Sequence, residues 1–151
     1  MTELIATIND IVKFGLQPNL TVLDRDTMLE RSLIKIYSLY FDISYQFDKT
    51  DYPDFNKSGL PDIRHNVETN FPDFGFYKTV LDYDNIDNLK ECGIGDAIDD
   101  LTDIINDLLE IKWRLENNSL ADGFWYFELI FKGHTQQHIL DLLSYMKQKN
   151  G

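Results

Sequence analysis

The spacing of apolar residues predicts two helices in the first third of the chain. Near the N-terminus apolar residues recur three or four positions apart, and Gly15 and Pro18 end that segment. A second, longer helix is predicted to begin near Asp26 or Thr27, which are good capping residues, and to run to about Phe47. The two apolar patterns are Leu4, Ile5, Ile8, Ile11 and Val12, then Leu29, Leu33, Ile36, Tyr37, Tyr40 and Phe47.

The last third of the chain carries the strongest helical patterns. Asp96 is suited to cap a helix whose apolar residues cover an arc wide enough to face two neighbours. After a short connection at residues 117–119, a continuous or slightly bent helix is predicted from Leu120 to about Lys147, with Gly133 inside it. A short link makes the two helices antiparallel neighbours. Their apolar positions are Ala97, Ile98, Leu101, Ile104, Ile105, Leu108, Leu109, Ile111 and Leu115, then Leu120, Phe124, Phe127, Phe131, Leu142 and Tyr145.

The middle of the chain, residues 48–88, is rich in residues that favour turns. A loop and then a short helix starting at Pro61 are predicted, because proline suits the first helical turn. We expect the apolar side chains that follow to pack as core on the long helices rather than to form a ligand-stacking surface. These side chains are Phe74, Phe76, Tyr77, Val80 and Leu81.

An acidic run at residues 82–88 has the composition of a calcium-binding loop but not its spacing. Such a loop needs an oxygen ligand at its fifth position and glycine at its sixth, where this chain has Ile86 and Asp87. A turn is therefore predicted. Since the chain shows no strand alternation, repeat or second domain, the predicted fold is all-α. It is a single domain of residues 1–151, a bundle of five or six helices that ends in a long antiparallel hairpin.

Charge limits the classes of partner. The chain has 26 acidic against 14 basic residues, a formal net charge of −12. That field repels nucleic-acid backbones and anionic lipid, so binding to nucleic acid or to membranes is not expected. A solvated acidic surface or a basic protein partner fits the charge better.

Cysteine content and hydropathy favour a cytoplasmic protein. Cys92, the only cysteine, excludes an internal disulfide and is predicted to be an ordinary free thiol in a loop. The N-terminus lacks the basic region of a secretory signal. No apolar run approaches the roughly 18 residues that a membrane span requires.

Two histidines on the final helix and three aspartates on the helix before it form the candidate site. His134 and His138 lie one helical turn apart within the apolar stripe, and the aspartates lie along one edge of the preceding helix. If the chain turns at residues 118–119, the imidazoles and the carboxylates should lie at similar levels along the axes of the two helices. The predicted neighbours are Asp107 with Phe131, Asp103 with His134, and Asp100 with His138.

This cluster has three interpretations. Histidine–aspartate hydrogen bonds could fix the register of the hairpin, since a buried imidazole needs a partner. Alternatively, His134, His138, Asp100 and Asp103 could bind a divalent metal, as inward-facing carboxylates and histidines do in helical bundles. Acid–base chemistry is the third interpretation, although no nucleophile or phosphate loop accompanies it. The sequence from His134 to His138 also lacks the glutamate of a His-Glu-x-x-His metalloprotease helix.

Three groups of residues carry a resemblance to a known family: residues 96–104 with Asp107-Leu108, residues 71–77, and Trp125, Phe131, His134, His138 and Asp141. Through them, residues 61–146 resemble a bacterial family of uncharacterised proteins, the domain-of-unknown-function family five-zero-six-three. The chain departs from the family at Phe127, Glu128 and residues 135–137, where the family tends to have Trp, Arg and Trp-Gly-Arg. The resemblance implies an all-helical, cytoplasmic bacterial protein, but no reaction.

The function expected from the sequence is non-catalytic protein binding. An adaptor module with an acidic surface fits the charge and the lack of a catalytic constellation, so no catalytic or cofactor-binding residue is assigned. Two alternatives remain open. One is a metal-binding protein or metal-dependent enzyme that uses the His/Asp cluster, and the other is an inhibitor or immunity-type protein that covers a basic target.

Overall fold

Most of the chain is helical, and one small antiparallel sheet interrupts the helices. The computed structural model describes all residues, 1–151, and contains six α-helices and two strands. In chain order they are α1 (Thr2–Leu16), α2 (Arg25–Tyr40), α3 (Ile63–Asn70), β1 (Phe76–Val80), β2 (Cys92–Asp96), α4 (Ala97–Asn117), α5 (Leu120–Ile130) and α6 (Gln136–Lys149). A short 3₁₀ turn covers Lys57–Gly59, and a π-helical turn covers Phe131–Thr135.

Helix α4 lies at the centre of the fold and contacts α1, α3, α5 and α6. All nine of its predicted apolar positions are buried, as the wide apolar arc required. The predicted cap is also present, because Oδ1 of Asp96 accepts a hydrogen bond from the backbone N–H of Ile98 at 3.0 Å. Burial of that arc against four helices anchors a single core of 26 apolar side chains.

Helices α5 and α6 return along α4 and form the predicted hairpin. Ser119 caps α5 by accepting a hydrogen bond from the N–H of Asp122 at 3.0 Å. The final segment is helical throughout but not uniformly α-helical. At residues 131–135 the backbone widens into the π turn, in which the N–H of Gln136 bonds to the carbonyl oxygen of Phe131.

The two-stranded sheet corrects the all-α prediction. Strands β1 and β2 pair antiparallel, with Tyr77 opposite Gly95 and Val80 opposite Cys92. The side chains of β1 alternate between exposed and half-buried, and the strand contains aromatic and β-branched residues, which favour strands. The side chains predicted as a core plug therefore divide: Phe74 is buried and Tyr77 half-buried, whereas Phe76, Val80 and Leu81 are exposed. Cys92 is an exposed strand residue rather than a loop residue.

Two helix boundaries also differ from prediction. Helix α2 ends at Tyr40 rather than near Phe47, because the following chain crosses the α4–α5 hairpin, where contacts outside the helix outweigh helical periodicity. There Asp48 accepts a hydrogen bond from the hydroxyl of Ser119 at 2.7 Å. Helix α3 starts at Ile63, two residues after the predicted start, because Asp62 caps it.

No helix of the structure is both long enough and apolar enough to cross a membrane.

Candidate metal centre

The His/Asp cluster lies where α4 faces the π turn and the start of α6. His134 belongs to the π turn and His138 to the first turns of α6. Three aspartates one turn apart face them from α4. Asp100 and Asp107 are buried, and the side chain of Asp103 is about one-third exposed.

A buried carboxylate holds the Nδ1 atom of each imidazole. His134 Nδ1 lies 2.7 Å from Oδ2 of Asp107, and His138 Nδ1 lies 2.7 Å from Oδ1 of Asp100. Because a carboxylate can only accept a hydrogen bond, each contact places a proton on Nδ1. The Nε2 atoms of the neutral rings are then free to act as electron-pair donors.

Each of these carboxylates is itself held by a hydroxyl group. The hydroxyl of Thr135 donates to Oδ2 of Asp107 at 2.7 Å, and that of Tyr77 donates to Oδ2 of Asp100. The orientation of each imidazole is thus fixed by a carboxylate that has its own fixed partner. This is the outer-shell arrangement that usually surrounds metal-binding histidines.

The two free Nε2 atoms converge with a carboxylate oxygen of Asp103. His134 Nε2 and His138 Nε2 are 3.2 Å apart, and Oδ2 of Asp103 lies 3.3 Å from the second and 3.9 Å from the first. Ligands bound about 2.0–2.1 Å from a tetrahedral zinc ion lie about 3.3–3.4 Å from one another. The three atoms therefore have nearly the separations that one shared ion imposes.

Without a cation, this convergence is electrostatically unfavourable. Two imidazole lone pairs and a carboxylate would face one another at close range. A metal ion would relieve the repulsion, and so would a proton on Nε2 of His138. The hydrogen bond to Asp100 raises the pKa of His138 above its ordinary value of 6.5, although burial opposes this. Burial also raises the pKa of Asp103.

The structure brings the four predicted ligands together but divides their roles. His134, His138 and Asp103 supply the three converging atoms. Asp100 contacts His138 as predicted, but through Nδ1, so that it supports a ligand. The main partner of His134 is Asp107 instead of the predicted Asp103. The prediction assumed 3.6 residues per turn throughout, and the π turn changes that spacing.

Sequence reasoning missed the parts that Tyr77 and Thr135 play in this cluster. Thr135 was hidden because its hydroxyl reaches Asp107 only from the π turn. Tyr77 was missed because its place opposite Gly95 follows only from the pairing of the two strands. The ring of Tyr77 lies against this glycine on its way to Asp100, in space that any larger residue would fill.

A second polar cluster lies nearer the α4–α5 turn, and each of its charged groups has a partner of opposite sign. Arg114 donates hydrogen bonds to Glu110 at 2.9 Å and to Asp122 at 3.2 Å, and the hydroxyl of Tyr126 donates to Glu110 at 2.9 Å. Burial tends to lower the pKa of Arg114, but these two carboxylates outweigh it and raise the pKa. Each carboxylate of the cluster has Arg114 as its partner, so the cluster joins α4 to α5 and is not a candidate ligand site.

Comparison with protein-family models, with curated proteins and with solved structures gives no match for this chain. The resemblance to the uncharacterised bacterial family therefore stays a prediction.

Proposed function

We propose that this protein binds one divalent transition-metal ion through His134, His138 and Asp103. The observation that carries the proposal is the convergence of the two Nε2 atoms and one carboxylate oxygen, all within 4.8 Å of one another. In the proposed centre Asp100 and Asp107 are the outer-shell acceptors that hold the two imidazoles.

The donor set supports a first-row transition ion over calcium or magnesium. Two imidazole nitrogens suit zinc, cobalt, nickel and iron, whereas calcium and magnesium prefer oxygen ligands throughout. Only three protein ligands converge, so at least one coordination position is left for water or an added ligand. Catalytic zinc sites share this property, whereas structural sites usually have four protein ligands.

The site is accessible from solvent. The His134 side chain is 42% exposed, so an ion could enter from that side and a small molecule could reach its open position. The buried face is formed by Asp100 and Asp107, whose negative charges favour a cation.

Metal titration of the chelator-treated full chain tests the proposal. Isothermal titration calorimetry with Zn²⁺ should give one ion per chain, and Co²⁺ should give the visible absorption spectrum of a nitrogen- and oxygen-bound ion. His134→Ala and His138→Ala should each abolish stoichiometric binding. Asp107→Asn should weaken it by about 10–100-fold, since outer-shell changes typically have that effect.

His65→Ala is the matched control. His65 is the third histidine, exposed on α3 and outside the cluster, so its loss should leave the affinity unchanged. The proposal fails if the wild type binds no ion stoichiometrically. It also fails if His138→Ala binds zinc as tightly as His65→Ala does. Circular dichroism of each variant separates loss of the site from loss of the fold.

A further inference from the structure

Residues 76–96 carry an unusual concentration of exposed apolar side chains. Seven of the sixteen large hydrophobic residues that the structure exposes lie in this β-hairpin, formed by β1, β2 and their connection, and each is between 60% and 88% exposed. We call the exposed side chains of residues 76–96 the hairpin surface. Its apolar members are Phe76, Val80, Leu81, Tyr83, Ile86, Leu89 and Ile94.

The strand register explains how the sheet contributes to this surface. Lys78 pairs with Ile94 and Val80 with Cys92, and these four exposed residues share one face of the sheet with Phe76. The opposite face carries half-buried residues and is the side of the sheet that turns toward the protein. The exposed apolar side chains therefore contribute little to the core.

Acidic residues alternate with the apolar ones along the connection between the strands. Asp82, Asp84, Asp87 and Glu91 lie in this connection, and its only basic residue is Lys90. These carboxylates do not belong to the metal cluster, which consists of residues from α4, the π turn and α6. The hairpin surface is thus apolar and anionic together.

We propose that the hairpin surface is a docking site for a basic protein. Exposed apolar side chains concentrated in one segment and interspersed with charges are typical of protein interfaces, in which apolar contacts supply most of the affinity and the charges select the partner. An anionic rim selects a cationic surface. The net charge of −12 opposes a second copy of this chain in that position, because the two acidic hairpins would repel each other.

This inference does not depend on the proposed metal centre, and its test uses different residues. The full chain is immobilised and exposed, at low salt, to a lysate of the organism that encodes it. A photo-crosslinking amino acid in place of Tyr83 marks what touches the hairpin. The crosslinked protein is identified by mass spectrometry, purified, and titrated against the full chain at low and high salt.

Two variants separate the apolar from the charged contribution. Ile86→Ser with Leu89→Ser removes apolar contacts, and Asp84→Asn with Asp87→Asn removes charge. Each pair should weaken binding about tenfold or more, as loss of central interface residues does. The affinity of the wild type and of the Ile86→Ser, Leu89→Ser variant should still fall strongly with added salt, whereas that of the charge variant should not. All four side chains are exposed, so both variants are expected to fold.

Ile34→Ser on α2 is the matched control, because Ile34 is another exposed apolar residue far along the chain from the hairpin. It should bind like the wild type. A crosslinked partner with a basic isoelectric point and the expected variant pattern supports the inference. The inference is overturned by the absence of a crosslinked partner, by a neutral or acidic partner, or by equal binding of the hairpin variants and the control. A crosslink to a second copy of the chain also overturns it.

Discussion

The aromatic ring of Tyr77 lies directly over the backbone of Gly95 on the neighbouring strand, where a methyl group would overlap it. Gly95→Ala should therefore destabilise the protein by about 1–3 kcal/mol, the usual cost of overpacking. In a Tyr77→Ala background the same change should cost much less, since the obstructing ring is gone. Urea unfolding measures both values. Gly59→Ala is the control, because no atom lies within 4 Å of its added methyl.

The pair formed by Asp100 and His138 predicts non-additive stability effects. His138→Ala should cost about 1–3 kcal/mol in chelator-treated protein, because it leaves a buried acceptor without its donor. Asp100→Ala combined with it should cost less than the sum of the single changes, since both remove one interaction. Denaturant unfolding of the four proteins measures the coupling. Strict additivity would show that the contact at 2.7 Å contributes nothing.

Zinc should raise the melting temperature if the three ligands bind it. At a hundredfold excess over the dissociation constant, binding to the folded state alone adds about 2.7 kcal/mol of stability. Differential scanning calorimetry should show the rise in wild type and in His65→Ala, and not in His138→Ala. An unchanged wild-type melting temperature would favour the purely structural role of the His/Asp pairs.

Arg114→Ala should be among the most destabilising single changes. The Arg114 side chain is only 14% exposed, and its removal leaves Glu110 and Asp122 without their cation. Losing hydrogen bonds to charged, largely shielded groups typically costs about 1.5–3 kcal/mol. Thermal unfolding measures the loss. Arg64→Ala, which removes the ion pairs of a side chain that is 45% exposed, should cost less than about 1 kcal/mol.

The pair formed by Asp73 and Lys149 predicts a small pH dependence at both extremes. A hydrogen bond from Lys149 lowers the pKa of Asp73 below 3.8, so its stabilisation is present above that pH and is lost as pH falls through the folded pKa. The pKa of Lys149 is raised above 10.5, chiefly by Asp73, so its stabilisation is lost as pH rises through the folded pKa.

The expected size of this effect is below about 1 kcal/mol, because the Asp73 side chain is more than half exposed and solvent screens the pair. Urea unfolding as a function of pH should show the loss in wild type. In Asp73→Asn the acidic limb should flatten. An identical profile in both proteins would contradict the assignment.

The sequence predicted best where burial alone decides the structure. Helix α4 follows its apolar periodicity because it is packed on several sides, and its cap was predictable because Asp96 acts locally. The contact between Asp100 and His138 was predictable from α4, the final helical segment and the short link between them. These features need only helical geometry and the length of a turn.

The missed features depend on contacts between distant parts of the chain. Strand β1 forms because β2 pairs with it across an eleven-residue connection, which local periodicity does not reveal. The end of α2 depends on contacts with the α4–α5 turn, including the one between Asp48 and Ser119. The π turn was missed because a rare, single five-residue turn is too short to be recognised from the spacing of apolar residues.

Asp100 uses one carboxylate oxygen to hold His138 and the other to accept the hydroxyl of Tyr77. A single buried group thereby joins the proposed metal centre to the strand that anchors the hairpin. Thermodynamic reciprocity follows from any coupling through it. If ion binding at His138 strengthens the hydrogen bond between Tyr77 and Asp100 by some factor, formation of that hydrogen bond must raise the affinity for the ion by the same factor. Ion binding and events at the hairpin would then form one linked equilibrium.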